Sequence, residues 1–222
     1  MHGQISELFQ VYIGLFNQDL VIQQGIVMPL KITFLNQKGG VGKSTSTVLI
    51  GAALSAAGYQ VAFEDTDSQG SLTMWTNKIG KLPMIHECPT AEVILCDTPG
   101  RIDLNQEEHE GFFRTIIQSS DRLVIVSEKS LFSTQASIPM IELVKKYMRA
   151  EAKAMILFNK VRQRTLVGRQ DELEMAQDLG LPVLKNSLPL AAAYENVQIE
   201  GFTAVLGKNR EKIFSLALEI LK

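Results

Sequence analysis

Short apolar runs alternate along the chain with longer stretches of helical periodicity. They predict strands at residues 30–36, 60–65, 92–97, 122–127, 153–159 and 182–185, with a weaker candidate at 83–87. Near-continuous apolar runs of this length are typical of strands buried on both faces. The alternation therefore predicts an α/β fold: a doubly wound, mostly parallel sheet flanked by helices.

The pattern differs at the start of the chain, in residues 1–27. Apolar residues recur there at helical spacing, at Ile5, Leu8, Phe9, Tyr12 and Phe16, which predicts a short amphipathic helix. Either this helix docks on the core or the segment reflects an upstream start codon, with the working protein beginning at Met28; a membrane-surface or partner-binding role is the remaining alternative. The absence of lysine and arginine disfavours anionic lipid. We expect an N-terminal extension, residues 1–27, followed by a single domain, residues 28–222.

Residues 38–45, Lys-Gly-Gly-Val-Gly-Lys-Ser-Thr, lie between the first of these strands and a predicted helix. The usual GxxxxGK[ST] pattern has a glycine where this chain has Gln37. The glycines still allow successive backbone N–H groups to approach one anion, Lys43 adds a charge for the outer phosphates, and the Ser44 hydroxyl is placed to bind Mg²⁺. The stretch predicts a phosphate-binding loop at a helix N-terminus, with a glycine-rich structural turn as the alternative.

Acidic residues follow two other predicted strands. Asp65 and Asp67 come where one strand ends, and alternate residues of an extended chain point the same way. Asp97 ends the next apolar strand and precedes Thr98-Pro99-Gly100. We expect these carboxylates at the carboxyl edge of the sheet, where one holds Mg²⁺ or its bound water and another orients an attacking water. The alternative for residues 65–67 is an acidic turn that caps the following helix.

Composition limits the class of protein. With 222 residues, 45% of them hydrophobic, the chain is long enough for one domain with its own core. It has neither the ~18 apolar residues of a membrane span nor the basic start and apolar run of a secretory signal. Cys88 and Cys96 are too few and wrongly spaced for a zinc or iron–sulfur site. We expect a cytoplasmic protein.

Charge is unevenly distributed, although the formal net charge is only −2. Eight basic residues and one acid, Glu151, lie between residues 145 and 169, which gives this stretch +7 and leaves −9 for the remainder. Such a stretch suits contact with the phosphates of nucleic acid, and a solvated helix face is the alternative.

Three motifs together, KGGVGKST, EDTDSQGSLTMW and LCDTPG, resemble the ParA/MinD family of deviant phosphate-loop ATPases. The resemblance covers most of residues 30–222 and implies ATP and Mg²⁺ as cofactors. It implies that Lys38 crosses a dimer interface to the partner's ATP, that Lys43 is the phosphate lysine in cis, and that Asp67 positions the attacking water.

The resemblance also implies two sets of ligands. The nucleotide-binding residues are Gly39, Gly40, Val41, Gly42, Lys43, Ser44, Thr45, Asn159, which contacts adenine, and Pro189, which lines the other face of the base. The Mg²⁺ site draws on Ser44, Asp65, Asp67 and Asp97.

Within the family, the short chain most resembles the small ParF-like partition ATPases and related cargo positioners. This implies an ATP-dependent homodimer, non-specific DNA binding, a ParB-like or other cargo adaptor and a nucleoid-associated location, with membrane binding disfavoured. Arg162, Arg164 and Arg169 are the candidates for DNA contact, by charge alone. The alternatives are a metabolic enzyme of the dethiobiotin-synthetase kind and a MinD-like membrane-associated division regulator.

One departure from the family pattern concerns length. Only 21 residues separate Trp75 from Asp97, fewer than the family usually has. We expect one helix–strand unit to be trimmed there.

Overall fold

The computed structural model describes residues 22–23, 26–162, 165–166 and 172–222. Its centre is a five-stranded, all-parallel sheet in the order β4-β5-β3-β6-β7. The strands are β3 (Leu30–Leu35), β4 (Val61–Asp65), β5 (Val93–Asp97), β6 (Arg122–Glu128) and β7 (Lys153–Asn159). Ahead of them, β1 (Ile22–Gln23) and β2 (Ile26–Val27) form a separate antiparallel pair. The predicted α/β fold is confirmed.

Among the described residues, four α-helices lie between strands of the sheet and three follow β7. They are α1 (Lys43–Ala56), α2 (Ser71–Trp75), α3 (Glu107–Gln118), α4 (Leu131–Tyr147), α5 (Glu172–Leu179), α6 (Ala192–Glu200) and α7 (Gly207–Leu221). A π-helical turn, Thr76–Gly80, continues α2, and 3₁₀ turns form at Ile85–Glu87 and Gly201–Ala204.

The two faces of the sheet bury alternate strand residues in two separate cores. Ile32 and Phe34 of β3 join the core that contains the buried residues of α1, α6 and α7. Leu35 of the same strand joins the core made with α3 and α4. Because successive strand side chains point to opposite faces, one apolar run supplies both cores. This explains why the strands read as continuous rather than alternating apolar segments.

Two predicted strands reduce to single bridges. At residues 182–185 only Val183 pairs with the sheet, opposite Ile156, and at 83–87 only Met84 pairs, opposite Phe63. Each pairing residue follows a proline, Pro182 or Pro83, which has no N–H to donate to a ladder. The chain then leaves the sheet edge, in the second case into the 3₁₀ turn. Both segments add one contact to an edge strand and no strand of their own.

The predicted N-terminal amphipathic helix lies outside the described residues. Within the part of the chain that is described, no helix is long and apolar enough to cross a membrane.

Candidate active site

The phosphate loop joins β3 to α1 and depends on two glycines with left-handed backbone angles. Gly40 has φ 75° and Gly42 has φ 96°, a region that residues with a side chain adopt only at a cost. Gly42 is also fixed by contact: a Cβ there would lie 2.0 Å from Nδ2 of Asn159. That amide nitrogen donates to the Val41 carbonyl at 2.9 Å. The end of β7 therefore holds the loop in place from the side.

Lys43, the first residue of α1, lies buried at the centre of the site with 6% of its surface exposed. Burial lowers the pKa of its ammonium, while the charges of Asp97 and Asp67 act in the opposite direction. The predicted cluster of phosphate lysine and carboxylates is thus present. The ammonium is thus attracted by both carboxylates, and its buried positive charge suits the outer phosphates of a nucleotide.

Asp97 ends β5 and is fully buried. Burial raises the pKa of its carboxyl to about 7, although a nearby Ser44 hydroxyl and the Lys43 ammonium both lower it. Neither carboxylate oxygen of Asp97 has a hydrogen-bond partner among the described residues, so the Ser44 hydroxyl lies near the carboxylate without bonding it. An ionised carboxylate in this position needs a cation.

The unpartnered Asp97 oxygens and the Ser44 hydroxyl fit a Mg²⁺ ion that also binds nucleotide phosphates. Mg²⁺ commonly takes one or two protein oxygens, with phosphates and water completing its shell. Among the described residues no group of three or more His, Cys, Asp or Glu side chains forms a metal site. The donor set therefore favours a metal that arrives with the nucleotide.

The two aspartates of the 65–67 turn occupy different environments. Asp65 accepts hydrogen bonds from the backbone N–H and hydroxyl of Thr73, at 2.8 and 3.0 Å, and from the Asp67 N–H at 3.1 Å. Asp67 lines the cleft beside the phosphate loop. The structure thus brings Asp67 to Lys43 and places Asp65 in the turn that starts α2.

Lys38 does not line the cleft of its own chain. Its side chain turns toward the start of α4, where the ammonium donates to the Ser133 hydroxyl at 3.3 Å. Its backbone N–H bonds the Asn36 side chain at 3.0 Å, which fixes the departure of the loop from β3. The two lysines of the motif therefore serve different sides of the loop.

The cleft that contains these residues has a volume of about 1260 Å³. Beyond the phosphate loop its walls are formed by Asn159 and Pro189 on one side and by Trp75, Ile79 and Val197 farther along. Asn159 and Pro189, predicted to contact the base, thus reach the cleft, although the Asn159 amide is also engaged by the loop. Because ligand pockets commonly measure about 300–1,000 Å³, this cleft is large enough to hold a nucleotide.

Two cations of the site were not predicted from the sequence. Lys160 donates to the Gly40 carbonyl at 2.6 Å and pairs with Glu128 at 3.2 Å. Arg101 lies across Gly39 at the rim of the cleft. Both have left-handed backbone angles, φ 52° and 61°. Non-glycine residues in that region are uncommon and concentrate at functional sites, but no sequence motif marks them.

The basic stretch at residues 145–169 proves to be largely paired. Four of its eight cations contact carboxylates: Lys145 with Glu142, Lys146 with Glu110, Arg149 with Asp121, and Lys160 with Glu128. Lys153 bonds the carbonyl of Lys222. Of the three predicted DNA-contacting arginines, Arg162 is exposed, whereas Arg164 and Arg169 lie outside the described residues.

Comparison with known protein families gives a match over residues 32–201 to the CobQ/CobB/MinD/ParA nucleotide binding domain. The chain belongs to this family. The resemblance inferred from the three motifs is confirmed, and ATP and Mg²⁺ are the cofactors of this family of P-loop ATPases.

Two relatives matched over most of their length are named for carboxysome distribution, and a third, a chromosome partitioning protein, is matched over about a third. The maintenance of carboxysome distribution protein A of Gloeobacter kilaueensis is 24% identical over 82% of this chain and 87% of its own length. The protein of the same name from Halothiobacillus neapolitanus is 27% identical, over 75% and 82%. The chromosome partitioning protein ParA of Caulobacter vibrioides is 32% identical over 37% of this chain and 36% of its own.

Solved structures share the fold. Apo McdA from Cyanthece has a TM-score of 0.65 at 15% identity and covers 88% of this chain and 100% of its own. The septum site-determining protein MinD from Pyrococcus horikoshii, solved with Mg-ADP, has a TM-score of 0.61 at 19% identity, over 87% and 95%. At these identities the likeness shows the fold alone.

Proposed function

We propose that the protein is a ParA-type ATPase that dimerises with ATP, binds DNA non-specifically in that state and positions a cargo in the cytoplasm, on the nucleoid. The observation that carries the proposal is the position of Lys38, outside its own cleft and against α4. A lysine that the phosphate grip of its own chain does not use is available to a second subunit. Relatives named for carboxysome distribution favour a protein compartment over a plasmid as the cargo.

In the proposed reaction, water attacks the γ-phosphate of ATP in line with the bond that breaks. Asp67 orients the water, Lys43 neutralises the outer phosphates, and the loop amides between Gly39 and Ser44 hold them in position. Magnesium, held by Ser44 and Asp97, supplies a further positive charge when bound. Asn159 keeps the loop in register through the Val41 carbonyl.

Lys38 links this reaction to assembly. An ammonium that enters the site only from a closed dimer adds electrostatic stabilisation of the transition state at that moment. Hydrolysis is then slow in the monomer and faster in the dimer, so ATP times the lifetime of the dimer. A cargo adaptor that favours closure stimulates turnover.

The first test measures assembly and DNA binding together. We expect light scattering to show a dimer with ATP and Mg²⁺ and a monomer with ADP, and DNA affinity that falls steeply with salt in the ATP state only. Retention on DNA with ADP, or no binding with ATP, would refute the proposal.

Two substitutions separate hydrolysis from assembly. Asp67→Ala should keep ATP binding and dimerisation and lower turnover by at least about 100-fold, because the water loses its orienting carboxylate. Lys38→Ala should keep ATP binding and lose partner-stimulated turnover, with Lys146→Ala as the control lysine on the surface. If Asp67→Ala abolishes ATP binding, Asp67 has a structural role instead.

A metabolic enzyme that phosphorylates a small molecule is the second candidate. The part of the cleft along Trp75, Ile79 and Val197 would hold the acceptor. Lys38 has no catalytic role in such an enzyme, so unchanged turnover of Lys38→Ala would favour the metabolic function.

A MinD-like membrane role finds little support in the C-terminal helix. Ile213, Leu216, Ile220 and Leu221 of α7 are at most 1% exposed and pack in the core with α1. Sedimentation of the full chain with liposomes tests whether the N-terminal segment binds membrane.

DNA contact is better supported away from the paired basic stretch. Lys78 and Lys81 flank the end of the π-helical turn, which packs on the 3₁₀ turn Gly201–Ala204. Arg210 of α7 lies over Phe202 of that turn at 4.9 Å. Lys208 and Lys212, two positions before and after it, lie one turn apart on the other side of the same helix. We call these five cations the C-terminal basic cluster, of which Lys78 also lines the cleft. No salt bridge engages them among the described residues.

A further inference from the structure

A cation at the rim of the cleft has no role in the function proposed so far. Arg101 follows the turn Thr98-Pro99-Gly100 that leaves the end of β5. Its backbone N–H and that of Ile102 both donate to the Gln37 carbonyl, at 2.7 and 3.2 Å. With φ 61°, Arg101 turns the chain back over the phosphate loop. The segment after β5 is thereby fastened to the start of the loop.

The side chain of Arg101 runs along Gly39. A Cβ placed on Gly39 would lie 2.6 Å from Cγ and 3.0 Å from Nε of Arg101. Gly39, unlike Gly40 and Gly42, does not have a left-handed backbone angle. A side chain at Gly39 would displace Arg101 from this position, so the glycine leaves room for the arginine beside the loop.

The location of this turn identifies which part of a nucleotide Arg101 meets. A Cβ on Gly100 would lie 3.0 Å from Nζ of Lys43 and 3.0 Å from Cα of Gly39. The turn thus stands at the ammonium that serves the outer phosphates. Arg101, the next residue, lines the same cleft.

We propose that Arg101 binds the terminal phosphate of the nucleotide in cis and makes the site prefer a triphosphate to a diphosphate. The inference rests on the proposed binding of ATP. A guanidinium offers a planar pair of N–H donors that matches two oxygens of one phosphate, which an ammonium does not. Arg101 and the phosphate loop belong to the same chain, so this contact needs no second subunit. Lys38, by contrast, lies on the α4 side of the loop. The bonds of Arg101 and Ile102 to the Gln37 carbonyl also tie the segment after β5 to the loop that holds this phosphate.

The test compares two nucleotides by isothermal titration calorimetry, Mg-ADP and the slowly hydrolysed Mg-ATPγS. Arg101→Ala should weaken ATPγS binding by about tenfold or more and leave ADP binding within about twofold. Arg101→Lys should fall between, because it keeps the charge and loses the paired donors. Arg114→Ala, at an exposed arginine of α3 that does not line the cleft, should change neither affinity.

Unchanged ADP binding shows that each variant is folded. Equal loss of both nucleotides, or no loss of ATPγS, overturns the inference. The same titrations in a Lys38→Ala background should give the same ratio, and a ratio that disappears there overturns the cis assignment. If the unaltered protein binds neither nucleotide, the proposed function itself is wrong.

Discussion

At the scale of single residues, the site combines positions that a motif marks with positions that only the folded backbone creates. Lys43, Ser44 and Asp97 were predicted from residue type and distance to a strand end, and the structure brings them together. Arg101 and Lys160 were not, because each reaches the loop through a left-handed turn. Residue type and spacing determine which strand end a side chain follows, whereas the turn determines where it then points.

The Asp97 carboxyl gives a prediction for the nucleotide-free protein. Its pKa is raised from 3.8 to about 7 by burial, so the folded state holds a proton that the unfolded state has lost between those values. The contribution of Asp97 to the free energy of unfolding therefore falls as pH rises from about 4 to about 7, by at most on the order of 4 kcal/mol.

Asp97→Asn removes this titration and should be more stable than the unaltered protein at pH 8, with the difference vanishing near pH 4. Urea unfolding at a series of pH values, without nucleotide or Mg²⁺, measures it. A difference that does not change with pH would show that Asp97 is not the titrating group.

At the scale of elements, the long buried strands were predictable because each supplies both cores. The edge segments at 83–87 and 182–185 were not, because a short apolar run after a proline satisfies the same pattern with a single bridge. Helix α2 shows a second reason why an element could not be predicted from the sequence. Its five residues are held by Asp65 of the preceding turn and by a distant residue, Val197, whose carbonyl accepts from Trp75 Nε1 at 2.8 Å.

Two roles for Asp65, holding the turn at the start of α2 and binding the metal, can be distinguished by substitution. If Asp65 holds the turn rather than the metal, Asp65→Asn should lower the free energy of unfolding by about 1–2 kcal/mol, because a carboxylate acceptor of three hydrogen bonds is lost. Thr73→Val, which removes only the hydroxyl, should cost about 1 kcal/mol.

Chemical denaturation measures these losses, and nucleotide titration over a range of Mg²⁺ concentrations provides the second readout. We expect Asp65→Asn to leave the Mg²⁺ dependence unchanged. A shift as large as that of Asp97→Asn would restore Asp65 to the metal site.

At the scale of the whole molecule, one half of the sheet is thinly covered, next to the short segment of 21 residues between Trp75 and Asp97. Helices α3 and α4 pack over β3, β6 and β7, but the same face of β4 and β5 carries only a small cluster of Ala62, Ala91 and Ile94. Beside it, Lys31 and Glu64 form an ion pair at 2.6 Å. This polar pair is suited to a sheet face that water reaches.

The distribution of charge over the molecule predicts where DNA binds. Lys146→Ala and Arg149→Ala should change DNA affinity by less than about twofold, since these cations already contact carboxylates. Lys208→Ala, in the C-terminal basic cluster, should weaken binding for every DNA sequence and reduce the slope of log affinity against log salt by about one. Fluorescence anisotropy with labelled duplex in the ATP state measures both, and the opposite ranking would place DNA on the 145–169 stretch after all.

Trp75 is the one tryptophan in the chain, and it stands in the wall of the cleft, 7% exposed, with its indole N–H on α6 and its ring edge-on to Phe63. The intrinsic ultraviolet emission of the protein thus originates almost wholly at the joint between α2 and α6. Stopped-flow mixing of the unlabelled protein with nucleotide would follow that joint in real time, and a foreign dye would be unnecessary.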